Sequence, residues 1–369
     1  MSELKPKIIH VIKGLGRGGA EQLVLSQVTQ HDARYSYEIV YFLPFKNQLV
    51  SEFECAGCTV TCLNASSSFQ VIFKLGSLVK LFRNKNVFLI HAHLPISGIV
   101  ARLAGRILSI PVVYTEHNVF NHYNFFTKLV SRWTYGYAAK VVAVSYSVKN
   151  SITNLIPTNK IEVIPNAVDL NFFDRSKFSV DQLRNKNSLN TKSKVIISVS
   201  SIRPQKRLDR WIDIANQVCS QLTDAVFIYV GAGSVSNDLK SKIQFPKRIR
   251  FVGIQPHPEE WLACADIYLI TSDYEGMPVA LLEAMSMGCV PVVTHVGGIP
   301  EIVEDSVNGF LFSPKETKVA VKKICDLLNM VDLQLDLAKN ARFTVENHFS
   351  ITQFLQRLND LYQEVTSPK

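Results

Sequence analysis

The sequence predicts an α/β protein made of two doubly wound halves, and three observations carry that reading. Short apolar runs alternate with amphipathic stretches along the chain, as parallel strands do with the helices that cross between them. The alternation stops at a polar stretch rich in Asn, Ser and Lys, residues 172–193, and then restarts. A length of 369 residues suits two domains of ordinary size, each able to bury its own core.

In order along the chain, strands are expected at residues 8–12, 37–43, 59–63, 87–91, 112–115 and 141–144. Helices are expected at 20–30, 71–82 and 97–108. The polar stretch reads as a linker or exposed loop. Beyond it, strands are expected at 194–200, 226–230, 249–252, 267–270 and 290–293. The stretch 350–365 is amphipathic through Phe354, Leu358, Leu361 and Tyr362 and reads as a helix.

Composition narrows the class. Hydrophobic residues at 47% with 19% charged residues argue for a folded chain and against disorder. No run approaches the roughly 18 uninterrupted apolar residues of a membrane helix. Lys5, Lys7, His10 and Lys13 break the first apolar run, so no secretory signal is expected and the cytoplasm is the expected compartment. Seven cysteines, an odd and scattered set, do not make a disulfide framework. Cys55, Cys58 and Cys62 lack a second ligand pair and read as small buried thiols, so no metal is expected there.

Charge is uneven. Residues 1–170 hold 17 Lys and Arg against 9 Asp and Glu, whereas residues 171–369 hold 23 against 22, so the first half carries nearly all of the net +9. Part of the excess lies at Lys74, Lys80, Arg83, Lys85, Arg102 and Arg106. The run 120–133 mixes Lys128 and Arg132 with Phe, Tyr and Trp, which suits an anionic membrane surface or, alternatively, a solvated helix face over an ordinary core. No nucleic-acid recognition motif accompanies the charge, and nucleic acid is not an expected partner.

The chemistry concentrates at residues 275–289, Glu-Gly-Met-Pro-Val-Ala-Leu-Leu-Glu-Ala-Met-Ser-Met-Gly-Cys. Glu275 lies in a loop beside Gly276, and Glu283 lies within a helix opening at Pro278. A helix start presents unpaired N–H groups and a positive dipole end, which together make an anion site. Two flanking carboxylates can accept from sugar hydroxyls, so a phosphorylated sugar is the natural guest. The competing reading is an amphipathic helix packed by Leu281, Leu282 and Met285. Gly14, Gly16 and Gly19 fit Gly-x-Gly-x-x-Gly between a strand and a helix. A dinucleotide fold wants an acid near the end of the second strand. The only acid there, Glu38, is near its start, which disfavours NAD.

Farther on, Cys-Val-Pro-Val-Val-Thr at 289–294 precedes Val-Gly-Gly-Ile-Pro-Glu-Ile-Val at 296–303. With Glu275 and Glu283 this resembles the retaining glycosyltransferases of family 4, whose donor site has a Glu-x7-Glu motif followed by a Gly-Gly-x-Pro-Glu loop. Weaker matches in the same order are Gly-Leu-Gly-Arg-Gly-Gly-Ala-Glu-Gln at 14–22, Tyr-Thr-Glu-His-Asn at 114–118, Ile-Pro-Asn-Ala-Val-Asp at 164–169, Pro-Gln-Lys at 204–206 and Phe-Val-Gly at 251–253.

The resemblance implies the GT-B architecture, two Rossmann-like domains facing across a cleft. It places an acceptor-binding domain at 1–170, a nucleotide-sugar domain at 171–349, and a helix at 350–369 returning to the first. It implies a nucleotide-sugar donor, expected to be a UDP-sugar, and no cofactor. Lys206 would neutralise the diphosphate. The family's Arg in that loop falls on Ser201, and Arg203 is the candidate replacement. Glu283 would hold the ribose and Glu275 would lie near the transferred sugar. Gly276, Met277, Pro278 and Val279 would form the oxygen-binding turn, and Gly253 and Ile254 would border the base. Gly16, Gly18 and Gly19 would lie beside the donor phosphate and acceptor, and His117 would face the donor sugar. His91 and His93 read as acceptor-side residues or as packing.

No Asp-x-Asp occurs, so a metal-diphosphate clamp is not expected. The expected reaction is a retaining transfer to a saccharide or a lipid-linked acceptor in envelope polysaccharide or glycolipid assembly. A sugar-nucleotide epimerase and a non-catalytic sugar-nucleotide-binding partner are the alternatives.

Overall fold

The computed structural model describes residues 5–30 and 34–367 and contains two parallel sheets. The first has strands β1 (Lys7–Ile12), β2 (Ser36–Tyr41), β3 (Thr59–Cys62), β4 (Val87–His93), β5 (Val112–Glu116), β6 (Lys140–Ala143) and β7 (Ile161–Val163) in the order 3-2-1-4-5-6-7. The second has β8 (Lys194–Val199), β9 (Ala225–Val230), β10 (Ile249–Gly253), β11 (Ile267–Ile270), β12 (Val290–Thr294) and β13 (Phe310–Phe312) in the order 10-9-8-11-12-13. Both are doubly wound α/β sheets, as expected from the alternation of patterns.

Every expected strand is present within a residue or two of its expected bounds. The sequence reading missed β7 and β13, each only three residues long and therefore without a period to detect. Strand interiors are apolar on both faces because helices cover both: Ile8, Ile9, Val11 and Ile12 in β1 are all fully buried.

The chain divides into one unit of residues 1–166 plus 351–369 and a second of residues 167–350. The helix Ile351–Thr366 belongs to the first unit. Its Tyr362 hydroxyl accepts from Gln27 Nε2 at 2.9 Å and meets His91 Nδ1 at 2.5 Å. Arg357 donates to the Val163 carbonyl at 2.5 Å.

Two expectations need correction. The polar stretch 172–193 is not a loose linker: it holds a helix, Val180–Lys186, whose Arg184 is buried and donates to the carbonyls of Thr191 at 2.7 Å and Cys264 at 2.9 Å. One long hydrogen-bonding side chain anchors the segment where no apolar period exists. Cys58 is buried, but Cys55 is exposed at the end of the helix Val50–Cys55, so the three thiols do not share one buried site.

The aromatic-basic run forms the helix Phe125–Thr134, and its amphipathicity is reversed. Thr127, Ser131 and Thr134 are buried, whereas Phe125 is 82% exposed, Trp133 75%, and Phe126 and Leu129 are exposed as well. Positions 125, 129 and 133 follow the four-residue helical repeat and make one outward apolar stripe. Arg102 explains the polar inner face: it lies over the rings of Tyr114 and Tyr135, 4.4 and 4.7 Å from their centroids, and donates to Thr134 Oγ1 at 2.9 Å.

Candidate functional site

In the second unit the site grows from loops that leave the carboxyl ends of β8 and β11, strands that lie side by side. After β8 a short turn, Pro204–Lys206, carries Lys206. After β11 the loop carries Ser272, Asp273 and Glu275 and runs into the helix Val279–Ser286. Pro278 caps this helix from outside, one position before the expected first turn.

The two loops are stitched together. Thr271 Oγ1 donates to the Lys206 carbonyl at 2.8 Å, and the Asp273 N–H donates to the Gln205 carbonyl at 2.8 Å. Arg210 binds the Asp273 carboxylate at 2.9 Å, and Arg207 binds it at 3.2 Å. Lys206 Nζ therefore reaches Glu275 Oε1 at 2.6 Å, where Ser272 Oγ also donates at 2.6 Å. Both partners of this ion pair are largely withdrawn from solvent, so its geometry is held more firmly than that of a surface pair.

Glu283 sits on the helix, whose Leu281, Leu282 and Met285 are fully buried, so the packing role and the carboxylate occupy different faces of one element. The Glu283 carboxylate has no hydrogen bond or ion pair within the described residues. Desolvation, with the nearby charge of Glu259 adding to it, pushes its pKa up to about 7. A recessed acceptor without a protein partner is suited to a ligand's hydroxyl groups.

A third loop holds the turn in place. Gly297 has φ +55, and a Cβ there would meet the Glu275 carbonyl oxygen at 1.8 Å. The Gly298 N–H donates to the Gly276 carbonyl at 3.0 Å. The Gly-Gly pair thus lets one backbone lie directly on another. Met277 and Val279 are buried within the same turn. Gly253 ends β10 and Ile254 follows it as an exposed apolar residue. Arg203 is exposed and its guanidinium pairs with no described residue, and Ser201 is half-buried.

The remaining predicted residues belong to the first unit. Gly16 and Gly18 lie between β1 and the helix Gly19–Thr29, which Gly19 opens. This loop also serves packing. The Leu15 N–H donates to the Lys46 carbonyl at 2.7 Å, and a Cβ at Gly14 would meet the Lys46 Cβ at 2.8 Å. Glu38 is committed to Lys7 at 2.7 Å and to Lys85.

His117 directly follows β5. Its Nε2 lies 3.4 Å from His93 Nδ1, and His93 Nε2 lies 3.0 Å from His10 Nδ1. His91 is held separately, by Tyr362 and by Thr115 at 2.7 Å, so His91 and His93 are both buried groups within the sheet. Burial lowers the His117 pKa to about 4 and that of His10 to about 3, and it holds His91 and His93 well below the usual range. All four rings are neutral at physiological pH. Ring nitrogens of His10, His91 and His93 approach within 4.8 Å of one another, but those of His91 and His93 are occupied by protein partners. Sequence reasoning missed His10 and Ser272, and also the Arg207–Asp273–Arg210 brace. Each acts through a partner distant in sequence or lies in a segment without a periodic pattern.

Comparison with known proteins places the same segments in one family. Residues 17–172 match Glycosyltransferase Family 4, and residues 179–344 match Glycosyl transferases group 1. The chain is 28% identical over 308 residues to the UDP-Gal:alpha-D-GlcNAc-diphosphoundecaprenol alpha-1,3-galactosyltransferase of Escherichia coli, covering 79% of each. It is 26% identical over 299 residues to the N-acetyl-alpha-D-glucosaminyl L-malate synthase of Bacillus anthracis, covering 78% of this chain and 77% of the relative. In structure it resembles Anabaena Alr3699/HepE, solved in complex with UDP and glucose, with a TM-score of 0.87 at 21% identity over 97% of this chain and 100% of that one. The fold is of the GT-B type, and the chain belongs to the group 1, family 4 glycosyltransferases.

Proposed function

We propose that this glycosyltransferase moves a sugar, with retention at the anomeric carbon and without a metal, from a UDP-sugar to a lipid-linked or saccharide acceptor. The observation that carries the donor side is the arrangement around Lys206: a cation fixed at 2.6 Å from Glu275, beside the start of the helix that bears the unpartnered Glu283. Lys206 and the backbone N–H groups of the helix start would take up the charge of the departing diphosphate. Such donors need no reorganisation as the bond breaks, which is how they lower the barrier. Glu283 would accept from the ribose hydroxyls. Glu275 is engaged by Lys206 and Ser272, which suits it to positioning the transferred sugar rather than to attacking it. The diphosphate would leave and guide the acceptor hydroxyl to the face it vacates. The absence of Asp-x-Asp supports charge neutralisation by Lys206 in place of a metal.

On the acceptor side, the Escherichia coli relative is named for a diphosphoundecaprenol substrate. The reversed helix Phe125–Thr134 supports a lipid-borne acceptor reached from an anionic membrane surface on the cytoplasmic side. Its outward Phe125, Phe126, Leu129 and Trp133 would enter the interface while Lys128 and Arg132 meet lipid phosphates. No described helix is long and apolar enough to cross a membrane.

The test is a screen of nucleotide-sugar donors against lipid-linked acceptors, with EDTA present and product NMR as the readout. An α-linked product from an α-linked UDP-sugar supports the reading, and an inverted product or a strict metal requirement overturns it. Vesicle co-sedimentation tests the surface. Phe125→Ser with Trp133→Ser should release the protein from anionic vesicles, and unchanged partitioning would refute membrane docking.

A further inference from the structure

We infer that His93, backed by His10, is a positioning residue that fixes the tautomer of His117, leaving Nδ1–H as the only ring donor that His117 can offer a substrate. The inference rests on the reading of His117 as a donor-sugar residue, and it adds what the side chain does there.

Three rings from three adjacent strands or their ends form one chain of contacts. His10 Nδ1 meets His93 Nε2 at 3.0 Å, and His93 Nδ1 meets His117 Nε2 at 3.4 Å. A neutral imidazole has one N–H and one lone pair, so the protons along such a chain must all point the same way. They run either outward from His10 to His117 or inward from His117 to His10.

The inner end decides between the two directions. His10 is fully buried, and its Nε2 has no partner. With protons pointing inward, this nitrogen would carry a buried, unpaired N–H. With protons pointing outward, it carries only an unused lone pair. Orphaned buried donors are the rarer and costlier defect, so the outward order is preferred.

His91, whose ring lies 4.2 Å from that of His93, does not join the chain or reverse it. Gln27 donates to the Tyr362 hydroxyl, and the arrangement that leaves no buried hydroxyl proton unpaired has Tyr362 donate to His91 Nδ1, with the His91 proton on Nε2 toward Thr115. The outward order makes His117 Nε2 an acceptor for His93 and places its proton on Nδ1. His117 then donates to a sugar oxygen. It does not remove a proton, and the low pKa imposed by burial agrees with that.

Asparagine and glutamine separate the two nitrogens of His93, because the Asn amide lies near the Nδ1 position and the Gln amide near Nε2. His93→Asn should keep a donor toward His117, whereas His93→Gln should lose it. Nitrogen-15 NMR of histidine-labelled protein, without any donor, should show His117 protonated at Nδ1 in the parent and in His93→Asn. In His93→Gln the proton should shift toward Nε2, the tautomer a free imidazole favours. With a UDP-sugar, kcat should fall by up to about a hundredfold in His93→Gln, the scale of a misplaced group, and recover in His93→Asn.

Protonation of His117 at Nε2 in the parent would overturn the proposal. Equal tautomers and equal kcat in the two variants would also overturn it. A His117→Ala enzyme with undiminished transfer would instead remove His117 from the donor reading, and the NMR result distinguishes that failure from failure of the tautomer assignment.

Discussion

The two units arrange their candidate functional groups by opposite means. In the second, Lys206, Glu275, Ser272 and Asp273 form a charged lattice on loops, where each charge meets an opposite one at the edge of solvent. In the first, His10, His93 and His117 are neutral rings in or beside a sheet, and burial removes their charge. A charged lattice can compensate an arriving diphosphate, while a neutral chain can only orient a donor or acceptor. On the proposed function, the comparison separates binding of leaving-group charge from handling of the sugar, and each half can be perturbed alone.

The largest effect should come from the lattice. Lys206→Ala should lower kcat by about 10²–10³, the usual loss for one preorganised donor, with a smaller change in KM. Arg203→Ala, three residues away but exposed and unpaired, should cost less than about fivefold, as expected of an exposed charge. Initial rates for the two variants check this directly, and equal losses would mean that Arg203 has taken over the role expected at Ser201.

Next comes the backbone beneath the lattice. Gly297→Ala forces a Cβ against the Glu275 carbonyl and onto a left-handed φ, so the Glu275–Gly276 turn must move. Turnover should fall by up to about a hundredfold while far-ultraviolet circular dichroism stays unchanged. Full activity in this variant would show that the turn tolerates displacement and would weaken the whole donor reading.

The smallest effect is a pH dependence at Glu283. Its carboxyl is raised from 4.5 to about 7 in the fold, so between those values the folded chain binds a proton that the unfolded chain has lost. This contribution to stability is fully present below 4.5 and fades as pH rises through about 7. Ribose hydroxyls donating to the carboxylate favour its ionised form, so KM for the donor should fall as pH rises through the same point. Glu283→Gln should flatten both profiles, measured by denaturant midpoints and by KM from about pH 5 to about pH 9, a span chosen to bracket the shifted carboxyl.

The contrast between the units also explains what could be read from the chain. The second unit's site lies mostly within residues 275–301, where loop, helix and Gly-Gly support follow one another, so spacing alone brings them together. The strands were legible because both faces are covered and their apolar runs are nearly continuous. The helix Val180–Lys186 was not, since Arg184 anchors it by hydrogen bonds and leaves no apolar period. The histidine chain was not legible either: His10 and His93 stand 83 residues apart and meet only because β1 pairs with β4. The inverted face of Phe125–Thr134 was half legible. Its composition pointed to a lipid surface, but the side packed on the protein is set by Arg102 and Thr134, which no local pattern couples.

The sheet of the first unit receives its covering helix from residues 351–366, after the chain has passed through all of the second. The contacts of Tyr362 with Gln27 and His91 therefore cannot form until all of the second unit has been synthesised. The first unit thus completes its packing late, although amino-terminal domains generally fold first. Until that helix docks, the earlier half carries an unsealed apolar flank, and chaperone capture should concentrate there.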